Sequence, residues 1–125
     1  RNFHVIGVDL NPSGIQDPNY VEEICDITEK ESVHEVFQRH EPNVIVHCAG
    51  ALAQFVSDDQ EMHEINVGGT QILLEESWNH RESVRKFIFL SSVEVYGVDV
   101  PIPCPETVPM NPICQYGEDK VECEK

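Results

Sequence analysis

The sequence predicts an α/β fold built on a mostly parallel sheet. Helical periodicity follows the second and third of four strand-like segments, and a last helix is expected near residue 112. VIVHCAG is nearly all apolar without alternation, which is typical of a strand buried on both faces of a parallel sheet. Strands that alternate with helices favour this architecture, with right-handed crossovers. The four strand-like segments are 3–9, 20–27, 44–50 and 85–92.

Local signals mark where the elements begin and end. The first strand ends at Asp9, before a turn-forming NPSG segment. Thr28 is expected to cap the helix at 28–40, because Glu31 lies three residues further on, as in a capping box. A long helix is predicted over 59–80. The proline-rich segment 100–112 predicts an irregular loop before the final helix.

Composition limits the classes of function. The 125 residues suit one domain, and the net charge of −15 argues against a nucleic-acid partner, which needs a basic face. No apolar run approaches the roughly 18 residues of a membrane span, and the start does not resemble a signal peptide. The five cysteines form neither a C-x-x-C zinc motif nor an even disulfide set. We therefore expect a cytoplasmic protein with reduced thiols, no metal and no membrane partner.

The strand ends are the places to look for ligands, which collect beyond the carboxyl ends of such strands. Asp9 could accept hydrogen bonds from both hydroxyls of a ribose, and Asp26 could accept one from an adenine amino group. Taken alone, each is as well explained as an ordinary turn or strand end. The small residues at 48–50 would let a flat cofactor approach the backbone, although tight packing explains them equally well.

Tyr116 and Lys120 lie four residues apart and share one face of the final helix. An isolated pair of this kind is ordinarily a surface pair. Combined with Ser92 at the end of the fourth strand, it predicts redox chemistry. A nearby ammonium lowers the pKa of a tyrosine from its usual value near ~10. The phenolate could then take a proton from a substrate hydroxyl while hydride leaves for a nicotinamide.

Six segments together resemble the extended short-chain dehydrogenase/reductase family, the NAD-dependent sugar-nucleotide epimerases and dehydratases. They occur in the order and at the spacing of that family and span nearly the whole chain. The resemblance implies a Rossmann-type doubly wound parallel sheet, with NAD as the cofactor. The segments are VDLNP, CDI, VIVHCAG, NVGGTQILLEE, FIFLSSVEVYG and ETVPMNPICQYGEDK.

The resemblance also implies a role for each matched residue. Asp9 would bind the ribose of NAD, and Asp26 with Ile27 would contact the adenine. Ser92 would position the substrate, and Tyr116 and Lys120 would be the catalytic pair. The implied cofactor-binding residues are Asp9, Asp26, Ile27, Cys48, Ala49, Gly50, Asn66, Ser91, Tyr116 and Lys120.

The sequence departs from the family at three points. Val93 stands where sugar 4,6-dehydratases carry an aspartate, which disfavours dehydration. Leu52 stands where sugar 4-epimerases often carry a lysine, which weakens the resemblance to UDP-galactose epimerase specifically. No glycine-rich phosphate loop occurs, although it should lie about 20 residues before Asp9. We therefore expect 1–125 to be a partial NAD-binding Rossmann domain that lacks its first strand and glycine loop, with the substrate-binding domain outside this chain.

The leading interpretation is part of an NAD-dependent sugar-nucleotide epimerase that acts by transient oxidation at C4. One alternative is an NAD-dependent dehydrogenase or reductase of the same family, including the hydroxysteroid type. A second is a non-catalytic nucleotide-binding relative. The expected partner is a nucleotide-sugar or another small-molecule substrate, and a homodimer is expected for the full-length protein. The isolated chain is expected to be inactive.

Overall fold

The computed structural model describes residues 3–125 and confirms the α/β alternation. A π-helical turn, Glu64–Gly68, joins α2 to α3, and short 3-10 turns lie at Ala53–Phe55 and Val93–Tyr96. The strands are β1 (Val5–Asp9), β2 (Tyr20–Ile24), β3 (Val44–His47) and β4 (Lys86–Phe89). The α-helices are α1 (Lys30–His40), α2 (Asp59–His63), α3 (Gly69–Asn79) and α4 (Gln115–Cys123). Among these residues, no helix is both long and apolar enough to cross a bilayer.

The strands form two separate parallel pairs in the described chain. In one pair β1 lies beside β2, with Asp9 opposite Ile24, and in the other β3 lies beside β4, with His47 opposite Phe89. In the classic strand order 3-2-1-4-5-6, these pairs correspond to strands 2 and 3 and to strands 4 and 5, which flank strand 1. This parallel pairing agrees with the predicted Rossmann-type sheet, and no strand of residues 3–125 joins the two pairs.

Only one face of the second strand pair is covered. Ile45 contacts the core of Cys25, Val33 and Phe37, to which helices α1 and α3 contribute. Val44 and Val46, on the other face of β3, are 49% and 57% exposed. The prediction that this strand is buried on both faces is therefore wrong for the described chain. The physical reason is that α1 and α3 both pack on the face of Ile45, so nothing in residues 3–125 buries Val44 and Val46.

The predicted cap at Thr28 is also wrong. The structure places Glu29 at the N-cap of α1, without a side-chain hydrogen bond. Thr28 instead donates its backbone N–H and its hydroxyl to Asp26 Oδ1, at 2.9 and 2.7 Å. A local turn around an aspartate competes with helix capping in this way. Helix α1 still gains from Glu31 in its first turn, where the helix dipole favours an acidic side chain.

The two remaining helical predictions need smaller corrections. The stretch predicted as one helix over 59–80 is two helices joined by the π-helical turn, and Asp58 caps α2 by accepting a hydrogen bond from Glu61 N at 2.9 Å. The final helix begins at Gln115 rather than near 112, because Cys114 is still in an extended conformation. A backbone hydrogen bond from Asn111 N to Val95 O, at 2.9 Å, holds the preceding segment against the second 3-10 turn.

Ile27 packs onto α3 at a position where only glycine fits. A Cβ at Gly69 would lie 2.6 Å from Ile27 Cδ1 and 2.7 Å from Cγ1. The neighbouring Gly68 faces open space, with no heavy atom of the described chain within 4 Å of such a Cβ. This contact anchors the segment after β2, which carries Asp26, to the helix that follows β3.

We predict that Gly69→Ala lowers the free energy of unfolding by about 1–3 kcal/mol, because an added methyl overpacks the contact with Ile27. The matched control, Gly68→Ala, should be neutral or stabilising by up to ~1 kcal/mol, because it only restrains a helical glycine. Urea denaturation measures both. Equal effects of the two substitutions would show that Ile27 is not seated on Gly69.

Candidate active site at the strand ends

Lys120 lies at the carboxyl end of β4 and is only 4% exposed. Its ammonium donates to Leu90 O at 3.2 Å and lies 4.6 Å from the centroid of the Phe89 ring. Burial is the main reason that the pKa of Lys120 is lowered, and the neighbouring Cys123 and Cys48 oppose this shift. The lysine predicted from the Tyr-x-x-x-Lys spacing is therefore a buried group at a strand end rather than a surface side chain.

Tyr116 lies on the same face of α4, half-buried, one turn before Lys120. The Lys120 ammonium lies over the ring, 5.5 Å from its centroid. The pKa of Tyr116 is raised, first by burial and then by the charge of Glu94, while the nearby Ser92 side chain opposes the rise. The prediction that Lys120 lowers this pKa is thus wrong for the structure, because burial and the charge of Glu94 dominate the pKa of Tyr116.

Ser92 and Ser91 have different surroundings. Ser92 is the N-cap of the turn Val93–Tyr96, where its Oγ accepts a hydrogen bond from Glu94 N at 3.2 Å. This position keeps it near Tyr116, as the Ser–Tyr–Lys arrangement requires. Ser91 is exposed, and its hydroxyl donates to Glu124. The structure therefore directs Ser91 toward the end of α4 rather than toward Lys120.

The buried carboxamide of Asn66 holds the segment that follows β3. Its Oδ1 accepts from Ala51 N at 2.7 Å, and its Nδ2 donates to Ala51 O at 3.1 Å. A Cβ at Gly50 would lie 3.1 Å from Asn66 Oδ1 and 3.5 Å from Lys120 Nζ. The absence of a side chain at Gly50 thus lets this segment lie close to Lys120.

The segment Cys48–Gly50 is exposed along its length. Its small side chains leave the backbone open to a flat ligand, and its inner side is fixed by Asn66 and Lys120. These features fit the predicted role of Cys48, Ala49 and Gly50 along a dinucleotide.

Asp9 and Asp26 lie at the end of the other strand pair. Asp9 is exposed, and its Oδ1 accepts from Asn11 N at 3.0 Å, while no side-chain hydrogen bond within residues 3–125 engages its second carboxylate oxygen. Asp26 is half-buried and is engaged through Oδ1 by Thr28, and Ile27 is packed on Gly69. The predicted adenosine-binding residues and the predicted catalytic residues therefore lie on different strand pairs.

Asp119 is a buried residue of this site that the sequence interpretation missed. It is 1% exposed, and its Oδ1 accepts from His63 Nδ1 and from Gln115 Nε2, each at 2.8 Å. Its Oδ2 accepts from Asn66 Nδ2 at 3.3 Å. The hydrogen bond to Asp119 is the main reason that the pKa of His63 is raised. The only signal in the sequence was the i, i+4 spacing of Gln115 and Asp119.

His47 ends β3 beneath this site and is 4% exposed. Its Nε2 donates to Thr70 Oγ1 at 2.9 Å, and Thr70 donates in turn to Asn66 O at 2.5 Å. Burial, followed by the charge of Lys120, lowers the pKa of His47 to about 4. A neutral imidazole is therefore part of the floor of the site.

We predict that His47 makes the protein less stable as the pH falls from 6.5 to about 4. The unfolded chain takes up this proton at a higher pH than the folded chain, so the free energy of unfolding should fall by about 3 kcal/mol over that range. His47→Gln should flatten the profile there, while His4→Gln, at an exposed position, serves as the control. Urea denaturation at stepped pH measures this. An unchanged profile in His47→Gln would contradict the assignment.

Comparison with known proteins places this geometry in a family. Residues 2–125 match the NAD dependent epimerase/dehydratase family. The UDP-glucose 4-epimerase of Erwinia amylovora is 36% identical over 103 residues, which cover 80% of this chain and 30% of that protein. The chain thus spans about a third of the length of this curated relative.

Several solved structures cover 95% of the chain, among them an epimerase and a dehydrogenase. The UDP-glucose 4-epimerase of Thermotoga maritima, solved with UDP-glucose, has a TM-score of 0.82 at 32% identity over 40% of its own chain. A monomeric L-threonine 3-dehydrogenase from a metagenome has a TM-score of 0.78 at 26% identity over 38% of its chain. These structures confirm the predicted fold as an incomplete Rossmann fold, and the chain belongs to the NAD dependent epimerase/dehydratase family.

Proposed function

We propose that this chain is part of an NAD-dependent sugar-nucleotide epimerase that acts by transient oxidation at C4 of the sugar. The observation that carries the proposal is the position of Tyr116 and Lys120 on one face of α4, packed on the end of β4 with Ser92 beside them. The similarity to UDP-glucose 4-epimerases supports the choice of a nucleotide sugar as substrate. Under this proposal, Ser92, Tyr116 and Lys120 are the catalytic residues.

The cofactor under this proposal is NAD, which would lie across the ends of both strand pairs. Asp9 would receive the adenosine ribose through its second carboxylate oxygen, and a negative charge there disfavours a 2′-phosphate. Asp26 and Ile27 would contact the adenine, with one oxygen of Asp26 already engaged by Thr28. Lys120 would bind the ribose of the nicotinamide. The remaining proposed cofactor contacts are Cys48, Ala49, Gly50, Asn66, Ser91 and Tyr116.

The proposed chemistry needs a base that takes the proton of the C4 hydroxyl and later returns it. NAD supplies the hydride acceptor when it is bound. Ser92 would hold the substrate oxygen, and Tyr116 would accept its proton. Because burial and Glu94 raise the pKa of Tyr116, a cationic group bound beside the phenol is needed to bring that pKa down. Tyr116 is therefore expected to act as a base only when NAD is bound beside it.

Dehydration is a poorer fit to these residues. Val93, which stands where dehydratases carry an acid, is 81% exposed and has no proton to donate. Glu94 is exposed, and its Oε2 accepts a hydrogen bond from Cys114 Sγ at 2.8 Å. Neither side chain supplies the missing acid at position 93.

A one-way dehydrogenase or reductase, including the hydroxysteroid type, is the second candidate. The similarity to an L-threonine 3-dehydrogenase favours it. Tight NAD that does not exchange during turnover would discriminate, because an epimerase needs it and a dehydrogenase does not. A non-catalytic nucleotide-binding relative is disfavoured, because Ser92, Tyr116 and Lys120 are all retained.

Under this proposal, residues 1–125 form part of an NAD-binding domain, and the substrate-binding domain lies outside this chain. A homodimer remains our expectation for the full-length protein. The choice of sugar would depend on contacts with that second domain.

In the full natural polypeptide, we predict that Tyr116→Phe lowers the rate of conversion between UDP-glucose and its 4-epimer by a hundredfold or more, because it removes the proton acceptor. The matched control, Tyr96→Phe, removes a hydroxyl from the neighbouring turn and should retain most of the activity. Chromatography of the nucleotide sugars measures both rates. Unchanged turnover in Tyr116→Phe would exclude Tyr116 from the mechanism.

We also predict that the 125-residue chain alone binds NAD weakly and turns nothing over. It contains no glycine-rich loop, whose helix N-terminus would receive the pyrophosphate. Isothermal titration calorimetry tests this, with the full natural polypeptide as the control. A micromolar affinity of the isolated chain would contradict the prediction.

A further inference from the structure

Helix α4 carries a buried carboxylate that the proposed chemistry does not use. Asp119 accepts hydrogen bonds from three side chains on three different elements: His63 at the end of α2, Asn66 in the π-helical turn and Gln115 on α4 itself. Burying a carboxylate costs several kcal/mol unless it is paired and hydrogen-bonded. Asp119 is paired with the partly exposed His63 and is hydrogen-bonded by the carboxamides of Asn66 and Gln115.

The Asp119 carboxylate and the Ala51 backbone require the same orientation of the Asn66 carboxamide. An ionised carboxylate can only accept, so the NH₂ group of Asn66 must face Asp119. That leaves Asn66 Oδ1 free to accept from Ala51 N at 2.7 Å, while Nδ2 also reaches Ala51 O at 3.1 Å. If the carboxamide were reversed, its oxygen would face the carboxylate and its NH₂ group would face the N–H of Ala51. Both contacts would be lost.

This orientation acts on the segment beside Lys120. Gly50, which precedes Ala51, lies so close to Asn66 Oδ1 and Lys120 Nζ that a Cβ would be 3.1 and 3.5 Å from them. Lys120 in turn follows Asp119 on α4. The contacts therefore form a closed ring from α4 through Asn66 to the segment after β3 and back to α4.

We propose that Asp119 is a positioning residue that fixes the Gly50–Ala51 backbone against Lys120 by orienting the Asn66 carboxamide. His63 supplies the opposite charge that makes the buried carboxylate tolerable. The orienting role stands on the contacts alone. Its consequence for NAD rests on the proposed function, in which Gly50 and Lys120 both bind the cofactor.

The Ala51 amide reports on this role directly, because Asn66 is its hydrogen-bond acceptor. We predict that Asp119→Asn in the full natural polypeptide speeds hydrogen exchange of the Ala51 N–H about tenfold or more. Exchange in β3 and β4 should stay at the unsubstituted rate, which separates local release from general destabilisation. The matched control is Glu118→Gln, which makes the same chemical change at an exposed position on the same helix and should leave Ala51 protected.

Calorimetry of NAD binding completes the experiment. Faster Ala51 exchange with about tenfold weaker NAD binding in Asp119→Asn, and neither change in Glu118→Gln, supports the proposal. Unchanged Ala51 exchange overturns it. Faster exchange with undiminished NAD affinity supports the orienting role but overturns its consequence for NAD. If no form binds NAD but Ala51 exchange is still faster in Asp119→Asn, the orienting role is supported and the proposed function fails.

The unsubstituted protein provides a second test, in case Asp119→Asn does not fold. His63 faces Asp119 and Glu122 on α4 and its own neighbour Glu64. When it loses its proton, the charge on Asp119 is less compensated and the hydrogen bond from Asn66 should change. We expect the Asn66 side-chain amide signals in NMR spectra to shift with the same midpoint as the His63 imidazole. Asn66 signals that do not move through the His63 titration overturn the proposal.

Discussion

The buried carboxamide of Asn66 is the contact on which the candidate site depends. It joins the segment after β3, the π-helical turn and α4, which are far apart in the sequence. Leaving a buried donor or acceptor without a partner costs about 1–3 kcal/mol. The Asn66 carboxamide, the N–H and C=O of Ala51 and the Asp119 carboxylate therefore hold one another in a single arrangement. Gly50 and Lys120 are close to each other because that arrangement exists. The proposed chemistry at Tyr116 is built on this support.

The divided sheet is the second constraint. Each strand pair has regular parallel pairing within itself, yet β1 and β3 share no hydrogen-bonded neighbour in the described chain. Apolar side chains such as Val44 and Val46 remain exposed on the face without a helix. Exposed apolar faces and unpaired strand edges of this kind favour association with another strand or chain. The fold nevertheless matches that of the UDP-glucose 4-epimerase of Thermotoga maritima over 95% of the chain.

Sequence patterns predicted the elements because periodicity and turn residues act locally. The alternation of strands and helices and the shared face of Tyr116 and Lys120 follow from such spacing. The exposure of Val44 and Val46 could not be predicted, because an apolar run shows that a strand tends to be buried but not what covers it. Thr28 failed as a cap because Asp26, two residues earlier, competed for its hydrogen bonds.

The site was only partly predictable for a related reason. His63 and Asp119 are 56 residues apart, and no local pattern connects them. The pKa of Tyr116 was predicted in the wrong direction, because the direction depends on burial and on the nearby charge of Glu94. Ser91 and Ser92 are neighbours in the sequence but meet different partners, Glu124 and the turn at Glu94. Such differences depend on tertiary geometry that spacing does not contain.

A crystal structure of the full natural polypeptide with NAD tests the central claim most directly. We predict that the cofactor lies along Cys48–Gly50, with its adenosine ribose on Asp9 and its nicotinamide ribose within hydrogen-bond reach of Lys120. Asn66 should keep its contacts with Ala51 and Asp119. A cofactor bound away from Lys120, with its ammonium still held only by Leu90 O, would contradict the account.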